Sequence, residues 1–135
     1  MSFSAEALEA VLARIPYVAH IGARAELAGD EMTAVLPYSE HLIGNPMLPA
    51  LHGGVIGGFM ELTAVIQLSL QSGDGAPKPI DVTVEYLRSG RPRDLFARAE
   101  VKKVGRKIAN VQVEAWQESR AKPIAALRGH FLLGG

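Results

Sequence analysis

Residues 55–71 limit the possible folds of this chain more than any other stretch, because they are long, apolar and almost uncharged. Their length and their methionine, leucine, alanine and glutamine content favour a helix over a strand. Apolar residues go nearly all the way round this predicted helix, which indicates burial on most faces. The remainder of the chain is therefore expected to fold around it.

The second half of the chain alternates between apolar and polar residues, as strands with one buried face do. We predict strands over residues 80–87, 95–104, 107–117 and 124–133. In the third of these, one face by parity holds Ile108, Asn110, Gln112, Glu114 and Trp116. Residues rich in glycine, proline and charge supply the connections between these strands.

The first half begins with a short amphipathic helix over residues 4–15, with Ser4 as its N-cap and Pro16 ending it. Strands over residues 21–28 and 31–36 flank Gly29-Asp30, where glycine permits a tight hairpin. Residues 39–51 are dense in turn residues and predicted to be irregular, and residues 72–75 close the long helix with glycine. The expected fold class is α+β, with an antiparallel sheet curled around one long central helix.

Composition limits the class of protein further. The 135 residues suit a single domain spanning residues 1–135, and the formal net charge of zero gives no argument for nucleic acid or an anionic membrane as a partner. The absence of cysteine excludes disulfides and thiolate chemistry, and the four histidines lack paired spacing, so no metal site is predicted. The N-terminus lacks the pattern of a signal peptide, and no apolar run approaches the roughly 20 residues of a membrane span. We expect a cytoplasmic protein.

The ionisable residue of the long helix, Glu61, is the first candidate for chemistry. A carboxylate in an otherwise apolar helix costs several kcal/mol if it is buried unpaired. It lies nine positions after His52, in a chain where His52-Gly53-Gly54 stands just before the predicted helix. Free N–H groups and the positive end of the helix dipole make such a start suited to polarising a carbonyl.

Glu61 and Gly54 of the same chain are too far apart to act on one carbonyl. At 1.5 Å per residue, they lie roughly 10 Å from each other along the helix. A second copy of the chain solves this, with Glu61 from one copy and Gly54 from the other. Edge strands of the predicted sheet could pair between the copies and be covered.

These residues resemble a known pattern. Gly44-Asn45-Pro46, then Leu51-His52-Gly53-Gly54-Val55-Ile56, then Glu61, is similar to the signature of hotdog-fold acyl-CoA thioesterases of the phenylacetate-pathway (PaaI-like) type. The likeness continues through residues 80–88 and 104–107, so that nearly the whole chain is covered in order. The resemblance implies the hotdog fold and hydrolysis of an acyl-CoA to free acid and coenzyme A, with no further cofactor.

The resemblance also implies a role for each residue. Gly54 N–H would polarise the thioester carbonyl, and Glu61 would activate water as general base or attack as nucleophile. Asn45 would orient the thioester or the water, and His52 would support the loop near the carbonyl. The site would form between the subunits of a homodimer, two of which would form a dimer of dimers. Most relatives carry aspartate at the position of Glu61.

Coenzyme A carries phosphates, so basic residues are expected near the site. Gly53 is expected to contact the substrate, and Arg88, Arg106 and Lys107 are the candidates for the nucleotide phosphates. The acyl group stays open, since Met47, Phe59, Met60 and Leu62 suit a pocket and a core equally well. One residue expected to hold the water, at the position one turn after Glu61, is Val65 here, and Thr63 points elsewhere.

Two other functions stay open at this point. The loop from His41 to Pro49 resembles the histidine loop of hydroxyacyl-thioester dehydratases, which also have the hotdog fold. Ala50 stands where those enzymes have glycine, and Glu61 lies further from His41 than their glutamate does. A non-catalytic acyl-thioester binding protein is the second alternative, because a fold does not guarantee an activity. The acidic residue at position 61 counts against it.

Overall fold

The computed structural model describes residues 3–72 and 76–134. Two helices and a hairpin come first: α1 (Ala5–Ala13), α2 (Pro16–Ile21), β1 (Arg24–Ala28) and β2 (Glu31–Leu36). A 3-10 turn and two short strands lead to the long helix: Glu40–Leu42, β3 (Ile43–Asn45), β4 (Ala50–Leu51) and α3 (Gly53–Ser72). Four strands complete the described chain: β5 (Lys78–Tyr86), β6 (Leu95–Val104), β7 (Ile108–Trp116) and β8 (Ala125–Leu132).

Six strands form one antiparallel sheet in the order β1-β2-β6-β7-β8-β5. Helix α3 packs against the inner face of this sheet and against α1. The predicted fold class, an antiparallel sheet around one long helix with a short helix before it, is confirmed. Strand β5 lies at one edge of the sheet, beside α3, although it comes from the middle of the chain.

The alternation predicted for β7 is confirmed. Ala109, Val111, Val113 and Ala115 are buried against α3, whereas the residues between them lie on the outer face. Helix α3 buries residues on most of its faces, including Ile56, Phe59, Met60, Ala64 and Ile66. The core therefore lies between the inner sheet face and α3, as the apolar pattern of both elements requires.

The structure corrects the prediction for residues 16–28. The first helix ends at Ala13 rather than at Ile15, and Pro16 begins a second helix, α2, because proline fits the first position of a helix, where no N–H bond is needed. Gly22 ends α2 with a φ of 77°, so β1 begins at Arg24 rather than at Ile21. The N-cap at Ser4 is confirmed, since its side chain accepts a bond from Ala7 N–H at 3.0 Å.

Helix α3 also corrects the statement that no apolar run reaches membrane length. It has 20 residues and a mean hydropathy of 1.4 over its most apolar window, so by length and composition alone it could cross a membrane. However, 56% of that window is buried inside the described chain, as in the core helix of a globular domain. The glycines predicted to close α3, at residues 73 and 75, lie outside the described residues.

Candidate active site

His52 caps the start of α3. Its Nδ1 accepts a hydrogen bond from Gly54 N–H at 2.9 Å, and its carbonyl accepts from Val55 and Ile56 N–H at 3.0 and 3.2 Å. The remaining donor of the first turn is Gly53 N–H, which has no partner among the described residues. One amide is therefore free at the positive end of α3, and it belongs to Gly53.

Glycine on either side makes room for the His52 ring. A Cβ atom at Gly44 would lie 2.8 Å from His52 Cα and 2.9 Å from Cδ2, and a Cβ atom at Gly54 would lie 3.0 Å from Nδ1. The ring thus lies between β3 and the start of α3. Since a backbone N–H can only donate, Nδ1 acts as acceptor and the neutral ring carries its hydrogen on Nε2.

Tyr86, at the end of β5, lies over the first turns of α3. Its hydroxyl donates to the Gly53 carbonyl at 2.7 Å. Its ring would lie 3.5 Å from a Cβ atom at Gly53, and its hydroxyl 3.2 Å from one at Gly57. Glycine at both positions, one turn apart, lets the ring settle on the helix backbone. Sequence reasoning missed Tyr86, and the spacing of these two glycines was the feature that could have indicated it.

Glu61 continues the same row of α3, one turn after Gly57 and two turns after Gly53. It is partly buried and has no hydrogen bond or ion pair within the described part of the chain. Since this row faces β5, the carboxylate lies on the side of the helix next to the sheet edge. Gly53 N–H lies about 12 Å away along the helix, beyond the reach of one carbonyl group.

Neither Thr63 nor Val65, the residues two and four positions after Glu61, offers a polar group that could hold a water molecule beside its carboxylate. Thr63 is fully buried and donates to the Phe59 carbonyl at 2.8 Å, so it points elsewhere, as predicted. Val65 is partly buried and apolar. The hydroxyl of Tyr17, on α2, would lie 2.7 Å from a Cβ atom at Gly58, on the turn of α3 that precedes Glu61.

Asn45 is the exposed last residue of β3, where the loop to β4 begins. Its Oδ1 accepts a hydrogen bond from Met47 N–H at 3.0 Å, which holds the turn. β3 and β4 pair through Ile43 with Leu51 and Asn45 with Ala50, so the residue is next to the segment that leads into His52. The structure thus brings Asn45, His52 and the start of α3 together in one chain, while Glu61 lies two turns further along.

Four cations surround a cleft of about 580 Å³ beside this loop. They are Arg88, Arg91, Arg93 and Lys122, and Leu48 and Pro49 also line the cleft. Arg93 pairs with Glu118 at 2.9 Å, whereas Arg91 and Lys122 have no ion pair among the described residues. A second cleft shares Arg88 and Ser89 with the first and extends to Tyr86 and Ile56 at the start of α3.

Arg106 and Lys107 do not join Arg88 within one chain. They lie in the turn between β6 and β7, which is next to the Lys78 end of β5 through the pairing of Ile108 with Leu132. Arg88 follows the opposite end of β5. Nine residues of strand separate the two ends, roughly 25 Å or more at 3.3 Å per residue.

The remaining candidates divide between core and surface. Phe59, Met60 and Leu62 are buried in the core, while Met47 is 90% exposed in the loop. His41 lies in the 3-10 turn, with its Nδ1 2.8 Å from Ser39 Oγ. Among the described residues, no group of three histidine or acidic side chains is arranged to hold a metal ion.

A family model described as the thioesterase superfamily matches residues 48–124, more than half of the chain and the part that contains α3. The chain belongs to the thioesterase superfamily. A crystal structure from Chromobacterium violaceum is 40% identical to this superfamily member, with a TM-score of 0.76, and the match covers 96% of this chain and 91% of that one. No curated protein sequence matches this chain.

Two further structures agree in fold. A thioesterase from Haemophilus influenzae is 25% identical, with a TM-score of 0.82 over 98% of this chain and 91% of that chain. The PaaI protein of the phenylacetic acid degradation operon of Escherichia coli is 17% identical, with a TM-score of 0.83 over 96% of this chain and 92% of that one. The fold of this thioesterase-superfamily chain is therefore the hotdog fold, and its membership is consistent with acyl-thioester hydrolysis.

Proposed function

We propose that this protein hydrolyses acyl-CoA thioesters as a PaaI-like enzyme of the cytoplasm. The observation that carries the proposal is Glu61, a partly buried carboxylate without a partner in its own described chain, on an apolar core helix. A partly buried carboxylate without a partner in the described chain, on a helix of otherwise apolar and neutral residues, is a candidate for chemistry. Its row on α3 begins at Gly53, whose N–H is free to bind a carbonyl.

In the proposed reaction, Glu61 takes a proton from water as general base. The water oxygen bonds to the thioester carbon, and negative charge gathers on the carbonyl oxygen, where backbone donors stabilise it. The carbon–sulfur bond then breaks. The coenzyme A sulfur leaves with the electron pair and receives the proton, which yields free acid and thiol. Asn45 orients the thioester or the water from the neighbouring loop.

The geometry of the helix start supports Gly53 rather than Gly54 as the donor to the carbonyl. Gly54 N–H, which the sequence pattern singles out, already donates to His52 Nδ1 at 2.9 Å. Using it for the substrate would require the His52 ring to turn away and the cap to be lost. Gly53 N–H needs no such change, so we assign the carbonyl to Gly53 and the support of His52 to Gly54.

We propose that the complete site spans two copies of the chain. The roughly 12 Å between Gly53 N–H and Glu61 along α3 prevents both from serving one carbonyl. Strand β5, the edge strand next to Glu61, exposes Ile80, Val82 and Tyr86, the first of them by 52%. Antiparallel pairing of β5 with the β5 of a second copy would satisfy its free backbone groups and cover these side chains.

The cleft lined by Arg88, Arg91, Arg93 and Lys122 suits the phosphates of coenzyme A. Three of the four cations pair with no carboxylate of residues 3–72 and 76–134, and the second cleft leads from Arg88 to the start of α3. A nucleotide in the first cleft would thus direct its thioester towards Gly53. Arg106 and Lys107 could contact the same nucleotide only from a second copy. If the two β5 strands pair antiparallel, the sheet end of the second copy that carries its β6–β7 turn lies on the same side as Arg88 of the first copy.

The Glu61→Gln variant tests the proposed function. With aryl-, short- and medium-chain acyl-CoAs and detection of the free thiol, we expect hydrolysis to fall by at least about 100-fold, since the amide cannot accept the proton from water. The matched control is Glu9→Gln, on the exposed side of α1, which we expect to retain wild-type rates. Unchanged hydrolysis in Glu61→Gln would contradict the catalytic assignment. Hydration of an enoyl thioester that His41→Ala abolishes would favour a dehydratase instead.

A mixing experiment tests the two-copy site. Gly53→Pro removes the Gly53 N–H at a helix position that accepts proline. Alone, it and Glu61→Gln are both expected to be inactive. Co-refolded in equal amounts, half of the dimers would combine the two variants, and each of these would retain one complete site. About a quarter of the wild-type rate is then expected, and no recovery on mixing would show that one chain provides all the groups.

A further inference from the structure

A continuous chain of hydrogen bonds runs from Tyr86 to His52 through a single peptide group. The Tyr86 hydroxyl donates to the Gly53 carbonyl at 2.7 Å. That carbonyl and the Gly54 N–H belong to the same amide, and the N–H donates to His52 Nδ1 at 2.9 Å. A donor on the carbonyl withdraws electron density from the amide and strengthens the bond that its N–H makes.

The direction of these bonds fixes the form of the histidine. Nδ1 accepts, so the neutral imidazole carries its hydrogen on Nε2. Nε2 itself has no partner within the described residues, and His52 is exposed to solvent at the start of α3. The position of the ring depends on glycine at 44 and 54, because a Cβ atom at Gly44 would lie 2.9 Å from Cδ2 and one at Gly54 3.0 Å from Nδ1.

We propose that Tyr86 is a positioning residue that acts through the Gly53–Gly54 amide to hold His52 with Nε2–H directed at an acceptor atom of the bound thioester. The donor is set in place before the substrate arrives, which is the arrangement that stabilises developing charge most effectively. The kinetic part of this proposal rests on the proposed thioesterase function. The hydrogen-bond relay itself does not, and it is tested separately.

Nuclear magnetic resonance of the intact protein tests the relay without any substrate. With ¹⁵N-labelled histidine and glycine, we expect the neutral His52 ring to be the Nε2–H tautomer in the wild type. Tyr86→Phe, which keeps the ring over Gly53 and Gly57, should move the Gly54 amide proton upfield and admit the other tautomer. Tyr38→Phe removes an exposed hydroxyl from the loop after β2 and is the matched control. If the His52 and Gly54 signals of Tyr86→Phe were the same as those of Tyr38→Phe and of the wild type, the relay would be refuted.

Kinetics with acyl-CoA test the consequence for catalysis. We expect Tyr86→Phe to lower kcat by about three- to tenfold with little change in KM, the size of one hydrogen bond lost in the transition state. In a His52→Ala background, the same substitution should change kcat by less than about twofold, because its effect passes through His52. An equal loss in both backgrounds would show that Tyr86 acts independently of His52. A wild type without hydrolysis would reject the proposed function and leave the relay to the resonance experiment.

Discussion

Asparagine in place of His52 should separate the support that this residue gives to α3 from its contribution to chemistry. The side-chain oxygen of asparagine accepts a hydrogen bond from the same first-turn amides that histidine caps. Asparagine has no counterpart of the Nε2–H group at the same reach. Alanine removes both the acceptor and the donor, so the pair of variants distinguishes the two effects.

The size of the stability effect follows from the cap. His52→Ala leaves the Gly54 N–H without its 2.9 Å acceptor, and loss of an N-cap side chain costs about 0.5–2 kcal/mol. For a chain of this length, 1 kcal/mol lowers Tm by about 3–5 °C. We therefore expect His52→Ala to melt several degrees below the wild type and His52→Asn to melt close to it.

The effect on activity should follow a different order. Both variants lose Nε2–H, so both should hydrolyse acyl-CoA about 10- to 100-fold more slowly than the wild type. Thermal unfolding followed by circular dichroism and thiol release under saturating substrate give the two quantities. Wild-type rates in His52→Asn would show that His52 serves only as a cap. Equal instability of the two variants would refute the capping argument.

Two further predictions concern the sheet and the cleft. Gly129→Ala should destabilise the protein by about 1–3 kcal/mol in urea unfolding, because a Cβ atom there would lie 2.6 Å from the Asp81 carbonyl oxygen. The control, Gly105→Ala, should be tolerated, since a Cβ atom there would lie 3.4 Å from its nearest neighbour. Equal stability of the two variants would contradict the close approach of β5 to β8. Joint replacement of Arg91 and Lys122 by alanine should raise KM for an acyl-CoA about 10-fold or more at low salt, and by less at high salt. KM for the corresponding acyl-N-acetylcysteamine should stay unchanged, since that thioester lacks the nucleotide. A similar rise for both substrates would place the phosphates elsewhere.

Much of the fold could be predicted from the sequence because the spacing of its apolar residues is unambiguous in the main elements. The alternation of β7 and the all-round apolar character of α3 each allow one solution, and Gly29 marks the hairpin between β1 and β2. Helix α2 could not be predicted in the same way. Pro16 is compatible with both the end of one helix and the start of the next, and six residues are too few for a periodic pattern.

The segment that contains the candidate site could be predicted from the sequence, but the hydrogen bonds within it could not. Glu61 and the glycines at the start of α3 stand out because they break the pattern of an apolar helix. Which amide stays free depends on the rotamer of His52, and that depends on the space left by Gly44, a residue from another strand. Likewise, the separation of Arg88 from Arg106 follows from strand register, which pairs residues distant in sequence and is not visible in charge counts.

The position of β5 in the sheet has a consequence for synthesis of the protein. Its hydrogen-bonded neighbour is β8, the described strand furthest along the chain, so β5 has both edges open while β6 and β7 emerge from the ribosome. Tyr86 and the surface proposed to receive the second copy are thus held in place only once β8 has been made. Premature association of nascent chains through the open edges of β5 would therefore compete with closure of the sheet until β8 is in place.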